Sequence, residues 1–195
     1  MRFKIKNMLW PIIGIALLAA GCSQQDRENK EMEKEAVTGP RVSKAVAVIH
    51  PLQGDSLRGT VTFEKQGDNV HVVAHLEGLS EGNHGFHIHQ YGDCSAPDGS
   101  SAGGHYNPNG HQHGSPTADD RHMGDMGNIP AMGNGQADLD YTDPKIKLNG
   151  PNSIIGRAVV VHQGEDDLTS QPSGAAGPRI GCGVIGIANS ENGNM

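Results

Sequence analysis

LRGTVTFEKQGDNVHVVAHLEG, residues 57–78, reads as two strands and the turn that joins them. In LRGTVTFEK (57–65), Leu57, Val61 and Phe63 are the candidates for burial. In NVHVVAHLEG (69–78), Val70, Val72, Ala74 and Leu76 recur at every second position. A period of two puts one face of a strand on a core and the other in water. His71 and His75 then lie on the opposite, solvent-facing side. QGDN (66–69) carries residue types that turns favour.

Working outward, the same pattern recurs. KAVAVIH (44–50), HGFHIH (84–89), QADLDY (136–141), KIKL (145–148), GRAVVVHQ (156–163) and RIGCGVIGIA (179–188) all read as short strands. The chain has 28 glycines and 11 prolines among 195 residues, which favours turns over long helices. Aromatics make up 4%, so the core is built mainly from Val, Ile, Leu and Ala. The expected class is all-β, an antiparallel sandwich or flattened barrel of about eight strands. Two segments break the pattern. Residues 90 to about 134 read as one long loop rich in Gly, Asp, Asn and Pro, and residues 164–178 as a second. A loop of the first length needs something other than core burial to order it.

The N-terminal segment has a different character. Arg2, Lys4 and Lys6 precede an apolar run from Met8 to Ala20, too short for a spanning helix and right for a signal peptide. The run closes on Ala19-Ala20-Gly21-Cys22, which resembles a bacterial lipobox with Ala19 in place of the usual leucine. The expected organisation is a signal peptide over 1–21, a lipid anchor on Cys22, a flexible polar tether over 22–42, a domain over 43–190 and a tail over 191–195. Without residues 1–21 the chain keeps 12 Lys+Arg against 22 Asp+Glu. That acidity excludes nucleic acid as a partner. It also repels an anionic substrate unless a local cation focuses the field. The two remaining cysteines, Cys94 and Cys182, read as one disulfide in an exported protein.

The histidines carry the chemistry. His87 and His89 are two apart on a predicted strand, so their side chains share a face about 7 Å apart, close enough to hold one ion between them. His162 ends another strand, and imidazoles converging from neighbouring strands suit copper and zinc. In the long loop, His105, His113, His122 and Asp125 form a second set. Three histidines and one carboxylate complete a closed tetrahedral zinc site, which would order a loop without a core. A histidine-rich solvated loop with no metal remains the alternative from spacing alone.

GFHIHQYGDC, SAGGHYNP, DDRHMGDMGN, GRAVVVHQGEDD and GPRIGCGVIGIA, in this order, resemble the copper/zinc superoxide dismutase family in its bacterial secreted form. The resemblance spans residues 45 to 188. It implies a Greek-key β-barrel with two long functional loops. It implies copper on His87, His89, His105 and His162, and zinc on His105, His113, His122 and Asp125, with His105 shared between the metals. It further implies that Asp166 links the two sites, that Cys94 pairs with Cys182, and that Arg179 is the active-site cation. His111, although two residues from His113, belongs to neither set. Pro178 before Arg179 departs from the small residue often found there. The implied activity is dismutation of superoxide to oxygen and hydrogen peroxide at the cell envelope. The chain would act as a homodimer or monomer anchored to the membrane through Cys22. The rival reading is a non-catalytic copper- and zinc-binding lipoprotein on the same fold.

Overall fold

The computed structural model describes residues 41–189. Eight strands follow in order: β1 (Lys44–Pro51), β2 (Arg58–Gln66), β3 (Asn69–Glu77), β4 (Gly82–His89), β5 (Asp125–Ala131), β6 (Gln136–Asp143), β7 (Ala158–His162) and β8 (Arg179–Ile187). They close into a barrel in the order β1-β2-β3-β6-β5-β4-β7-β8, with every pairing antiparallel. The all-β expectation therefore holds, and the barrel is closed.

The β2–β3 hairpin sets the register. Gln66 pairs with Asn69, so the loop is two residues long, and Gly67 takes φ 60 as such a turn requires. From there Phe63 faces Val72 and Val61 faces Ala74, all fully buried. Ala45 and Ala47 of β1 continue the same layer against Phe63 and Val61. Sliding the hairpin by one residue would turn this whole layer into water, which is what fixes the register. On the outer face His71 and His75 reach Asp140 and Asp138 at 2.7 and 2.6 Å, as expected of a solvent-side row.

Two segments differ from the sequence reading. The long loop is interrupted by β5, residues Asp125–Ala131. Asp125, Met126, Gly127, Ile129 and Ala131 of this strand are all buried, on both faces, so no alternation marks it. Gly127 at φ 74 and the exposed Pro130 further disguise it. KIKL (145–148), by contrast, forms no strand. Ile146 and Leu148 are buried, but Pro144 ends the pattern and Asp143 Oδ1 accepts from the backbone N–H of Lys145 and Ile146, making a turn. Val42 is already tied to the barrel, exchanging two 2.8 Å hydrogen bonds with the Asn149 side chain. The signal segment, Cys22, nearly all of the tether and the tail lie outside the described residues. Among the described residues no helix is long and apolar enough to cross a membrane.

Candidate metal centre

β4 and β7 are neighbours, and each alternates across the barrel wall. Phe86, Ile88, Val159 and Val161 point into the core. His87, His89 and His162 occupy the opposite face and are nevertheless buried, because the two long loops cover them. Cys94, on the first loop, is bonded to Cys182 of β8, and Ala158, Val160, Cys182, Leu52 and Ala102 form a small apolar cluster on this outer face. The loop is then sewn to β4. His105 bridges to His89, Tyr106 N–H donates to Ile88 O at 2.8 Å, and Ile88 N–H donates to Gly124 O at 2.9 Å. Position 124 must be glycine, since a Cβ there would stand 2.2 Å from Ile88 O.

Two four-donor sets result. His87, His89, His105 and His162 each offer one ligand atom, and these atoms all lie within 4.8 Å of one another. The same holds for His105, His113, His122 and Asp125. In the first set the second nitrogen of each ring is engaged elsewhere. His89 Nδ1 donates to Gly103 O and His162 Nδ1 to Gly177 O, both at 2.9 Å. His87 Nε2 donates to Asp166 Oδ2 at 2.7 Å. That fixes each tautomer and leaves a lone pair aimed inward. His89 Nε2 and His162 Nε2 face each other at 3.5 Å, while His87 Nδ1 and His105 Nε2 are buried with no partner. Four converging lone pairs with no proton between them fit a cation.

In the second set the carboxylate is the hub. Asp125 Oδ1 lies 2.7 Å from His105 Nδ1 and 3.1 Å from both His113 Nδ1 and His122 Nδ1. No hydrogen bond closes the His113 contact, and Nδ1 is left buried and unpaired. Asp125 Oδ2 is turned away and accepts from the N–H of His122 and Gly114. One oxygen and three Nδ1 atoms thus converge, the donor chemistry of a zinc site. Asp166 joins the sets, holding His87 through Oδ2 and His113 Nε2 through Oδ1 at 2.9 Å. Gly174 packs against it; a Cβ there would meet Asp166 Oδ1 at 1.8 Å.

Protonation follows from these surroundings. Burial pushes His87 down to about 3 and His162 to about 4, and holds His89 and His105 below their usual range. All four are neutral at pH 7, the form that ligates a metal. Burial alone would lower His113 too, but the carboxylates of Asp125 and Asp166 overrule it and lift it to about 9. Burial would raise the two carboxyls; their imidazole donors instead hold both far below the ordinary carboxylate range.

A cavity of about 380 Å³ opens over the first set, lined by His89, His105, His162, Arg179 and the 172–173 segment. Arg179 is held there by the carbonyls of Gly99 and Gly103, the second at 2.6 Å. Pro178, just before Arg179, accepts from Gln163 N–H at 2.8 Å through its carbonyl. His111 stands at the surface against Asp120, in neither set. His84 is buried and its Nδ1 donates to His162 O at 2.9 Å, fixing the backbone of that residue. Spacing did not reveal the polar clasps. Asn128 exchanges two 2.8 Å hydrogen bonds with the backbone of Asp166, and Gln171 exchanges two of 2.9 Å with that of His113.

A protein-family model described as copper/zinc superoxide dismutase (SODC) matches residues 57–185. The chain is 44% identical over 191 residues to an extracellular superoxide dismutase (Cu-Zn) of Drosophila melanogaster, a match covering 92% of this chain and 99% of that protein. It is 50% identical over 151 residues to superoxide dismutase (Cu-Zn) A of Xenopus laevis, covering 74% and 97%. The crystal structure of the clock protein EA4 superposes with a TM-score of 0.71 at 41% identity, over 77% of this chain and 98% of the other. With the barrel, the two donor sets and these likenesses together, the chain belongs to the copper/zinc superoxide dismutase family, whose members bind both metals.

Proposed function

We propose that His87, His89, His105 and His162 take copper, that His105, His113, His122 and Asp125 take zinc, and that the loaded chain dismutes superoxide outside the cytoplasm. The observation that carries this is His105. Its Nδ1 lies 2.7 Å from Asp125 in one donor set, and its Nε2 is free for the other. An all-imidazole set suits copper and a set with a carboxylate suits zinc.

Bound copper supplies the one-electron chemistry, in which one superoxide is oxidised to dioxygen and a second, with two protons, is reduced to hydrogen peroxide. The chain's own residues do the rest. Arg179 places a fixed positive charge in the cavity wall, so an anion is drawn in although the whole chain carries a formal charge of −7. His105 lines the same cavity and its Nε2 can hold a proton for the reduced substrate, while its Nδ1 stands beside Asp125 in the zinc donor set, which keeps the ring oriented. Asp166 fixes His87 and His113 at once, so the two donor sets are positioned by one carboxylate.

The signal-like residues 1–21 and Cys22 support export with lipid anchoring at a bacterial envelope, and two of the relatives are named extracellular. A domain over 43–190 on a 22–42 tether would then defend the envelope against external superoxide. The test is the inhibition of superoxide-driven cytochrome c reduction by protein reconstituted with both metals. Copper bound without activity would turn the assignment to the non-catalytic carrier. His162→Ala is expected to abolish activity while zinc stays bound; loss of both metals contradicts the division of ligands.

A further inference from the structure

Two of the four proposed zinc donors, His122 and Asp125, sit on one short turn at the head of β5. The loop before it offers little apolar surface, so the turn needs a polar anchor. Arg121 is that anchor by position. It is fully buried, the largest side chain among the described residues to be so. Its Nη1 donates to His122 O at 3.0 Å, to Met123 O at 3.4 Å and to Asp125 O at 3.0 Å. Its Nη2 donates to Asp143 Oδ2 at 2.6 Å, and Asp143 is equally buried. Asp143 ends β6, and its other oxygen caps the turn at Lys145 and Ile146. Arg121 Nε finds no acceptor, so the side chain is held by its two terminal nitrogens.

The geometry divides the turn into two sides. Three carbonyls point one way, into the guanidinium. On the other side the N–H of His122 points at Asp125 Oδ2 and fixes that carboxylate with Oδ1 toward the imidazoles. A turn that lost the guanidinium would lose that donor at three inward carbonyls, of which His122 O keeps a 3.3 Å bond from Asp125 N–H, and would rotate to find water.

We propose that the buried Arg121–Asp143 pair is a positioning device for the zinc turn. It ties the backbone of His122–Asp125 to the end of β6, so that the His122 and Asp125 donors stand in place before the metal arrives. The inference rests on the zinc assignment made above. It makes Arg121 a positioning residue, not a ligand. Only a planar, forked cation can reach a carboxylate and three carbonyls together; a lysine keeps the charge and loses the fork.

The test is the zinc dissociation constant of the zinc-loaded mature chain, measured by competition with a chromophoric chelator. Arg121→Lys keeps the ion pair. Arg121→Met/Asp143→Asn removes both charges while the asparagine oxygen still caps residues 145 and 146, which avoids leaving one buried charge alone. Groups that orient metal ligands are worth roughly ten- to hundred-fold in affinity, and both variants are expected to weaken zinc by that factor. A residue that only stabilises the fold leaves the zinc constant of folded protein untouched. Constants within about twofold of wild type would overturn the proposal. Should neither variant fold, hydrogen exchange on the chelator-treated wild type carries the test. Slow exchange at His122 and Gly114, whose N–H groups hold Asp125 Oδ2, supports the device; exchange as fast as at the exposed Asn109 and Gly110 overturns it. A wild-type chain that binds no zinc refutes the ligand assignment and the device together, whereas zinc held equally by all three proteins refutes the device alone.

Discussion

Replacing Asp166 by Asn separates the charge of the linking carboxylate from its shape. Asp166 is 1% exposed and receives three N–H donors. His113 Nε2 (2.9 Å) and the Leu168 N–H (2.7 Å) share Oδ1, while His87 Nε2 (2.7 Å) takes Oδ2. An asparagine oxygen at the Oδ1 position serves the first two. Its NH₂ group then faces His87 Nε2–H, donor against donor. His87 escapes by moving its proton to Nδ1, and that is the nitrogen it offers to the proposed copper set. The neutral variant therefore lowers copper affinity more than zinc affinity. A lost orienting group costs roughly ten- to hundred-fold, or about 1.4–2.7 kcal/mol. Isothermal competition with a copper chelator measures it, and dismutase activity at limiting copper should fall in parallel. If copper affinity stays within about twofold while zinc affinity drops, the tautomer reasoning is wrong and Asp166 serves only the zinc side.

Three further outcomes follow from the same geometry. In the metal-free protein His113, lifted to about 9, is protonated at pH 7. Zinc must displace that proton, so uptake releases roughly one proton and apparent affinity climbs with pH until about 9. Calorimetry in buffers of different ionisation enthalpy reads the release, and none at pH 7 refutes the reading. Reduction of the Cys94–Cys182 bond opens a loop of sequence separation 88, worth about 4–5 kcal/mol in the chain-entropy model. Denaturant titration should show most of that loss. Activity should fall as well, because Gly99 and Gly103, which hold Arg179, lie in the released loop. Stability unchanged within about 1 kcal/mol counts against it. Finally, Cys22→Ser should move the expressed protein from the detergent phase to the aqueous phase on detergent partition, and an aqueous wild type rules out the lipid anchor.

The strands most visible in the sequence are those with one wet face. β2 and β3 alternate because Phe63 and Val72 meet in the core while Thr62 and His71 face outward. β5 was hidden because it is covered on both faces, by the core at Ile129 and by the metal loops at Asp125 and Gly127. KIKL misled for the opposite reason: burial of Ile146 and Leu148 at alternate positions does not need a ladder when a side-chain cap and a proline set the path. The site shows the same limit. Residue types and short spacings pointed to two donor sets, but the sharing of His105 between them came from the resemblance. Asn128, Gln171 and the glycine carbonyls had no signal at all. They act across 38, 58 and about 15 residues, and any polar residue in a loop looks alike before the loop is folded.

Why this site needs so many clasps follows from where a barrel can put a histidine pair. The interior is filled by Phe86, Ile88, Val159 and Val161, so the histidines between them must point outward. Outward-pointing ligands are wet unless something covers them, and the covering loops contribute few side chains to the main core. Their order comes from a disulfide, from carbonyls that fix histidine tautomers, and from carboxylates and amides that grip ligand-bearing segments. Those same bonds set which nitrogen of each ring is free. Loop order and ligand geometry are thus one set of interactions. A substitution that loosens either loop is therefore expected to reach the metals even when it touches no ligand.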